Sequence, residues 1–403
     1  MSPTVLEPPS HVSARAPAGW RAGWDAPRTA IATIFLLDGL TFGVWVAHLP
    51  LLKRALALSD LAFAAALAGL VAGAFVAQPL AGLLASRVGS RRVTRIASVC
   101  AGCALALPAF APTLATLVAA TIVLGLARGA TEVPMNAQAT LLETQHARPR
   151  MSSFHACFSL GGFLGAGAAA LLLHFGAGAR ATLPGVGLSC AAIAFFVGRS
   201  LLRDTPRRGH MALHDGAPPT LAALARDRTL VLLGVLAFCG LFGEGAMADW
   251  SALLLERNTG AAAAAAAVGY AVFSVAMTCG RVTGDAVIAR AGRSRTLRAS
   301  GVLAATGMVL ALIGSYPVAV AGFAIVGLGY ANLVPILFSA SGRHGGSAGI
   351  SAVSTLGYAG FVVGPPAIGA LSQATGSLAA ALSAVAVFAA VIAVGAGAVE
   401  REP

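Results

Sequence analysis

Residues 114–140 read LATLVAATIVLGLARGATEVPMNAQAT, a mostly apolar run that carries Arg128, Glu132 and Asn136 at steps of four. At ~1.5 Å per residue such a run, wound as a helix, more than crosses a hydrocarbon core ~30 Å thick. Eleven further runs resemble it. Candidate spans fall near 29–50, 60–84, 93–111, 151–175 and 179–199, then 229–255, 263–288, 296–314, 317–340, 347–370 and 378–398. Only 10% of the chain is charged and 57% is hydrophobic, where a soluble domain needs about a quarter charged. The ten-residue alternation of a barrel strand is missing, so helices are the expected spanning elements. The sequence predicts an all-α membrane protein of twelve transmembrane helices.

The formal net charge of +12 would suit a nucleic-acid partner, but the placement of the charges argues otherwise. With twelve spans, Lys53, Arg54, Arg180 and Arg257 fall at one face and Arg128 and Arg281 inside spans. Every other Arg falls at the face carrying both termini. By the positive-inside rule both termini are expected in the cytoplasm, and no nucleic acid is expected as a partner. Residues 1–28 lack a signal-peptide core and are read as a disordered cytoplasmic tail. The Pro-containing stretch 201–228 reads as a cytoplasmic linker between six-helix bundles at 29–200 and 229–398. Cys100 and Cys103 form a CxxC without a nearby His or carboxylate, so neither a metal nor a cofactor is expected.

Three pairs of segments repeat in register across the linker. DGLTFGVW (38–45) answers EGAMADW (244–250), GLARGATEVP (125–134) answers GLGYANLVP (327–335), and SLGGFLG in the fifth span answers TLGYAGFVVGPP in the eleventh. The halves therefore look like copies, a common device of transporter folds. The loops GLLASRVGSRRV from Gly82 and GRVTGDAVIARAGRSR from Gly280 also correspond. They resemble the Gly-x-x-x-Asp-Arg-x-Gly-x-Arg-Arg loop of the major facilitator superfamily. Ser86 stands where that pattern has Asp, while the second copy keeps Asp285. The segments SSFHACFSLGGFLGAG (152–167), AMTCGRVTG (276–284), GLGYANLVPILFSAS (327–341) and STLGYAGFVVGPPAIG (354–369) narrow the likeness. They resemble bacterial inner-membrane permeases related to the fucose permeases. The resemblance implies the major facilitator fold with two pseudo-symmetric bundles, a carrier in the inner membrane, and a monomer.

Ionisable side chains inside spans cost at least ~2.5–3.5 kcal/mol, so each needs a partner, a wet cavity or a role. Arg128, Glu132 and Asn136 share a helix face and should line a central cavity. Glu132 with Asn136 resembles the Glu-x-x-x-Asn element that the fucose-permease branch associates with proton coupling; the bland alternative is a self-neutralising Arg128–Glu132 pair. Asn136, and His155 and Ser159 four apart in the fifth span, are candidate solute contacts, with a hydrogen-bonded core histidine as the alternative for His155. Glu244 and Asp249 point ~140° apart on one helix. Glu244, Asp249 with Trp250, and Trp45 in the matching repeat are further candidate solute contacts, with a Trp in the interfacial belt as the alternative for Trp250, while Asp38, the mate of Glu244, is assigned with Arg128 and Glu132 to the proton path. Arg281 and Asp285 are expected to pair and, with Arg87, Gly89 and Arg91, to form a cytoplasmic gate.

The expected function is uptake of a small polar, sugar-like solute coupled to protons. Drug exporters of the superfamily carry a Gly-Pro-rich fifth helix, whereas here the fifth span is proline-free, which lowers an export reading. A sensor or scaffold would need an added soluble domain. No nucleophile–base pair or phosphate loop suggests an enzyme.

Overall fold

The computed structural model describes residues 25–58, 60–204, 226–261, 265 and 268–400. Most of the expected tail and linker lies outside the described residues. Among those described, the regular structure is helical: α1 (Ala26–Ala55), α2 (Asp60–Val88), α3 (Ser90–Ala104), α4 (Leu114–His146), α5 (Met151–His174) and α6 (Ala179–Val197). The second half holds α7 (Arg228–Thr259), α8 (Val268–Ala291), α9 (Arg293–Ile313), α10 (Tyr316–Tyr330), α11 (Leu333–Thr375) and α12 (Leu378–Gly395).

Eleven stretches are long and apolar enough to cross a membrane, and one, Tyr316–Gly364, has 49 residues. As a single helix that would run ~74 Å, over twice the hydrocarbon thickness. It folds back at Gly346, whose φ of 58° and ψ of −147° break α11 into arms 333–345 and 347–375. Glycine adopts that conformation without the Cβ clash other residues meet. The tenth crossing is thus α10 continued by the first arm, the eleventh is the second arm, and the total is twelve.

The first helix starts at Ala26, inside the tail expected to run to residue 28. Asp25 caps it by accepting from the Arg28 amide at 2.9 Å, and Pro27 occupies the first turn. The seventh crossing repeats the device, with Asp227 accepting from the Thr229 and Leu230 amides at 2.8 and 3.0 Å. Each cap also meets a histidine from the basic end of the fourth or tenth crossing: His146 lies 3.5 Å from Asp25, and His344 lies 2.9 Å from Asp227.

Packing repeats as well. In the first half α1 lies on α5, α2 on α4, and α3 on α4 and α6; in the second α7 lies on α11, α8 on α10, and α9 on α10 and α12. Small residues set the α1–α5 approach. A Cβ at Gly161 or Gly165 would stand 2.1 Å from the carbonyl oxygen of Leu36 or Leu40, so only glycine fits. Outward faces carry exposed Phe163, Val275, Ile313 and Val394, which lipid accommodates.

Candidate functional site

The polar groups expected in the cavity do come together, though mostly with partners far away in sequence. Arg128 of α4 does not pair with Glu132. Its guanidinium turns to α1, forming an ion pair with Asp38 at 3.1 Å and donating to the Asp38 carbonyl at 3.0 Å and to Thr41 at 3.2 Å. It also lies 5.0 Å from the Phe42 ring centre. One helical turn on, Glu132 accepts from Gln78 Nε2 of α2 at 3.2 Å and from the Tyr358 hydroxyl. Tyr358 belongs to the second arm of α11, so this carboxylate bridges the two halves.

Asn136 is fully buried. Its amide donates to the Glu132 carbonyl at 2.9 Å, and its Oδ1 stands 3.2 Å from His155 Nε2. The His155 ring is half-buried and packs edge-on between Phe35 and Phe338. Ser159 accepts from Arg281 Nη1 at 3.0 Å, a second link between the halves.

Arg281 and Asp285 were expected as a pair, but they take separate partners. Arg281 reaches Glu244 of α7 at 3.9 Å and the Ala331 carbonyl at 3.4 Å. Asp285 reaches across the seam and caps α5, accepting from the Ser152 and Ser153 amides at 3.0 and 3.1 Å and from the Ser153 hydroxyl. Stacking four apart on one face leaves each side chain free to prefer a neighbouring helix. An α5 N-terminus with unpaired amides is a stronger attraction for a carboxylate than an arginine already engaged.

Glu143 completes the α5 start. It accepts from the Arg150 and Met151 amides at 2.7 and 3.0 Å and from the Ser339 hydroxyl of the other half. Ser351 donates to the Gln78 carbonyl at 3.1 Å, and a Cβ on Gly82 would collide with Ser351 at 2.2 Å. These cross-half contacts lie between mid-depth and the basic face, which is therefore closed in this structure.

Arg87, Gly89 and Arg91 occupy other places. Asp204, just beyond α6, accepts from the Ser90 and Arg91 amides at 2.5 and 3.3 Å, and Gly89 packs beside its carboxylate. These contacts tie α3 to its own half; Arg87 is exposed. Trp45 is a clear correction. It is 3% exposed and sits in an apolar cluster with Val44, Leu105, Leu124 and Leu183, away from the seam. Its repeat mate Trp250 is half-buried and packs on Gly369, while Asp249 is exposed.

Tyr358, Gln78, Glu143 and Ser339 were not singled out from the sequence. A signal existed for two of them. Gln78 interrupts the apolar stretch 61–84 of the second span, and Tyr358 is one of only 4 tyrosines.

The family model of the Major Facilitator Superfamily matches residues 31–365. The chain belongs to the major facilitator superfamily. It is therefore a multi-pass membrane transporter of small solutes and not an enzyme. An uncharacterised MFS-type transporter of Yersinia pestis is 34% identical over 371 residues, covering 91% of this chain and 94% of its own. The membrane protein MosC of Rhizobium meliloti is also 34% identical, over 384 residues covering 91% and 90%. Among solved structures, the E. coli fucose:proton symporter FucP in its outward conformation is similar, with a TM-score of 0.75 at 17% identity. The match covers 91% of this chain and 97% of that one. At that identity the likeness concerns the fold.

Proposed function

We propose that this transporter takes up a small polar, sugar-like solute together with protons, with Glu132 as the proton-carrying group. The observation that carries this reading is the position of Glu132, which accepts from Gln78 of its own half and from Tyr358 of the other. An ionised carboxylate offers acceptors to both donors. Adding a proton converts one acceptor into a donor and weakens the bridge to Tyr358. Proton binding and separation of the halves are then linked through one side chain. The Asp38–Arg128 pair beside it holds a compensated charge and serves as the neighbouring element of the path. Solute contact falls to Asn136, His155, Ser159, Glu244 and the more exposed Asp249 and Trp250, once the bonds among the first three rearrange. Arg281 and Asp285 hold the closed face.

The arginine asymmetry supports a cytoplasmic position for that face and for both termini, in a bacterial inner membrane. The fucose:proton symporter shares the fold and supports the choice of a sugar-like solute and a proton. The test uses purified protein in liposomes loaded with a pH-sensitive dye and challenged with sugars, organic acids and amphipathic cations. A sugar-like solute should drive inward proton movement, and Glu132→Gln should abolish it while leaving solute exchange. Coupled flux that persists in Glu132→Gln would remove the proton role. Proton entry coupled to outward solute movement would establish export instead.

A further inference from the structure

On the outer side of the first half, the basic ends of α3 and α6 form a groove whose arginines are held against aromatic rings. The Arg95 guanidinium carbon lies 4.6 Å from the Phe195 ring centre, and that of Arg199 lies 5.0 Å from the same centre. Arg199 also lies 5.2 Å from the Phe196 ring. The position is built on both sides. A Cβ at Gly198 would meet Arg95 Cγ at 2.7 Å, so a glycine here seats the arginine stem across the end of α6. Arg91 donates from Nη2 to the Arg199 carbonyl, fixing the third guanidinium beside the other two.

Among the described residues no carboxylate forms an ion pair with Arg91, Arg95 or Arg199. Two guanidiniums on one ring lie closer together than about one Debye length (~10 Å at 0.1 M salt), so they repel. An anion set between the two guanidiniums would relieve that repulsion. Next to it Phe196 and Ile96 are exposed, an apolar surface that acyl chains can cover. The chemistry that completes the groove is an anion joined to an apolar chain.

We propose that the α3–α6 groove binds the headgroup of an anionic phospholipid, its phosphodiester held by Arg95 and Arg199 and its acyl chains lying on Phe196 and Ile96. Arginine suits this role because its planar fork pairs with phosphate oxygens while its face stays on the ring. Basic pockets between helix ends at this depth are known headgroup sites.

Native mass spectrometry of the purified full chain, titrated with phosphatidylglycerol or phosphatidylcholine, tests the assignment. The wild type should retain phosphatidylglycerol in preference to phosphatidylcholine. The Arg95→Gln/Arg199→Gln variant should retain it about thirtyfold less well, given ~1 kcal/mol per arginine near an anionic surface and ~1.4 kcal/mol per decade. The exposed single variant Arg199→Gln should lose about fivefold on the same scale, and Arg298→Gln at the other half's basic end should lose nothing. Equal retention in wild type and Arg199→Gln would overturn the site. So would full displacement by inorganic phosphate at equal concentration, which would identify a plain anion site.

Discussion

Replacing Asp285 with asparagine should open the basic face. In the closed structure this carboxylate accepts three hydrogen bonds from the start of α5: two backbone amides at 3.0 and 3.1 Å and the Ser153 hydroxyl. Hydrogen bonds to charged groups contribute about 1.5–3 kcal/mol each. A carboxamide keeps one acceptor oxygen, loses the charge that the helix N-terminus favours, and turns an NH2 group towards a donor. Glu143 still holds the preceding two amides, and water reaches the freed groups as the halves part. The net loss to the closed state is ~2–4 kcal/mol, or a population shift of about thirtyfold to several hundredfold. The open state gains nothing in compensation, since there the carboxylate and the α5 amides are apart.

Alkylation of a buried seam position reads that shift directly. Ser351 is 1% exposed and lies against Gly82. In a background with the six native cysteines replaced, Ser351→Cys should react slowly with a charged maleimide. Adding Asp285→Asn should speed the reaction at least tenfold, while Asp285→Glu should leave it near the parent rate. An unchanged or slower rate in Asp285→Asn, with melting unaltered, would refute the assignment of this carboxylate as the latch.

Three other outcomes can be checked on the same protein. Ser86→Asp restores a carboxylate one turn beyond Gly82, towards the start of the 347–375 arm, where the helix dipole favours it by ~0.3–1 kcal/mol; alkylation of Ser351→Cys should slow about two- to fivefold. Trp45→Ala removes a buried ring from the first half's core and should cost ~3–5 kcal/mol, seen as a lower thermal midpoint in detergent. Partial burial alone would push the Asp227 carboxyl up, but the Leu230 amide, the His344 ring and the Thr229 amide together hold it below its ordinary range. A depressed folded value contributes stability above the unfolded pKa of ~3.9 and loses it as pH falls through the folded one. The midpoint difference between wild type and Asp227→Ala should therefore be present at about pH 5 and shrink below pH ~4.

The spans were legible because a bilayer leaves few alternatives. An apolar run of sufficient length must be a helix there, and even the break between spans ending at 340 and starting at 347 falls beside Gly346. The site was legible in part. Arg128, Glu132, Asp38, Glu244 and Arg281 announced themselves as charges where charge is costly; Glu132 and Arg281 make contacts across the halves, while Arg128 and Asp38 pair within the first. Their partners were not readable, because four-residue spacing reports a shared face and nothing about which helix lies opposite. Arg128 chose Asp38, 90 positions away, over Glu132 one turn away. The Trp45–Trp250 match shows the converse limit: duplication preserves a position along a helix while the two environments diverge.

Gln78 and the 347–375 arm connect the candidate proton site to the closed face. Gln78 gives its amide to Glu132 and its backbone carbonyl to Ser351, so one residue touches both. Ser351 and Tyr358 are seven residues apart on that arm, two turns along the same face. Opening the basic face requires the arm to leave α2 and α4, which breaks the Ser351–Gln78 and Tyr358–Glu132 contacts in one movement. In the proposed cycle a proton on Glu132 weakens the second contact and leaves the first to hold the arm near Gln78, with the Asp285 latch beside it holding α5. A coupled carrier needs that division of labour, because a proton that released every contact would open the face without a solute. The two contacts differ in kind: Asp285 holds α5 through a full charge, whereas Ser86 on α2 donates to Leu83 of its own helix and leaves the arm responsive to Glu132.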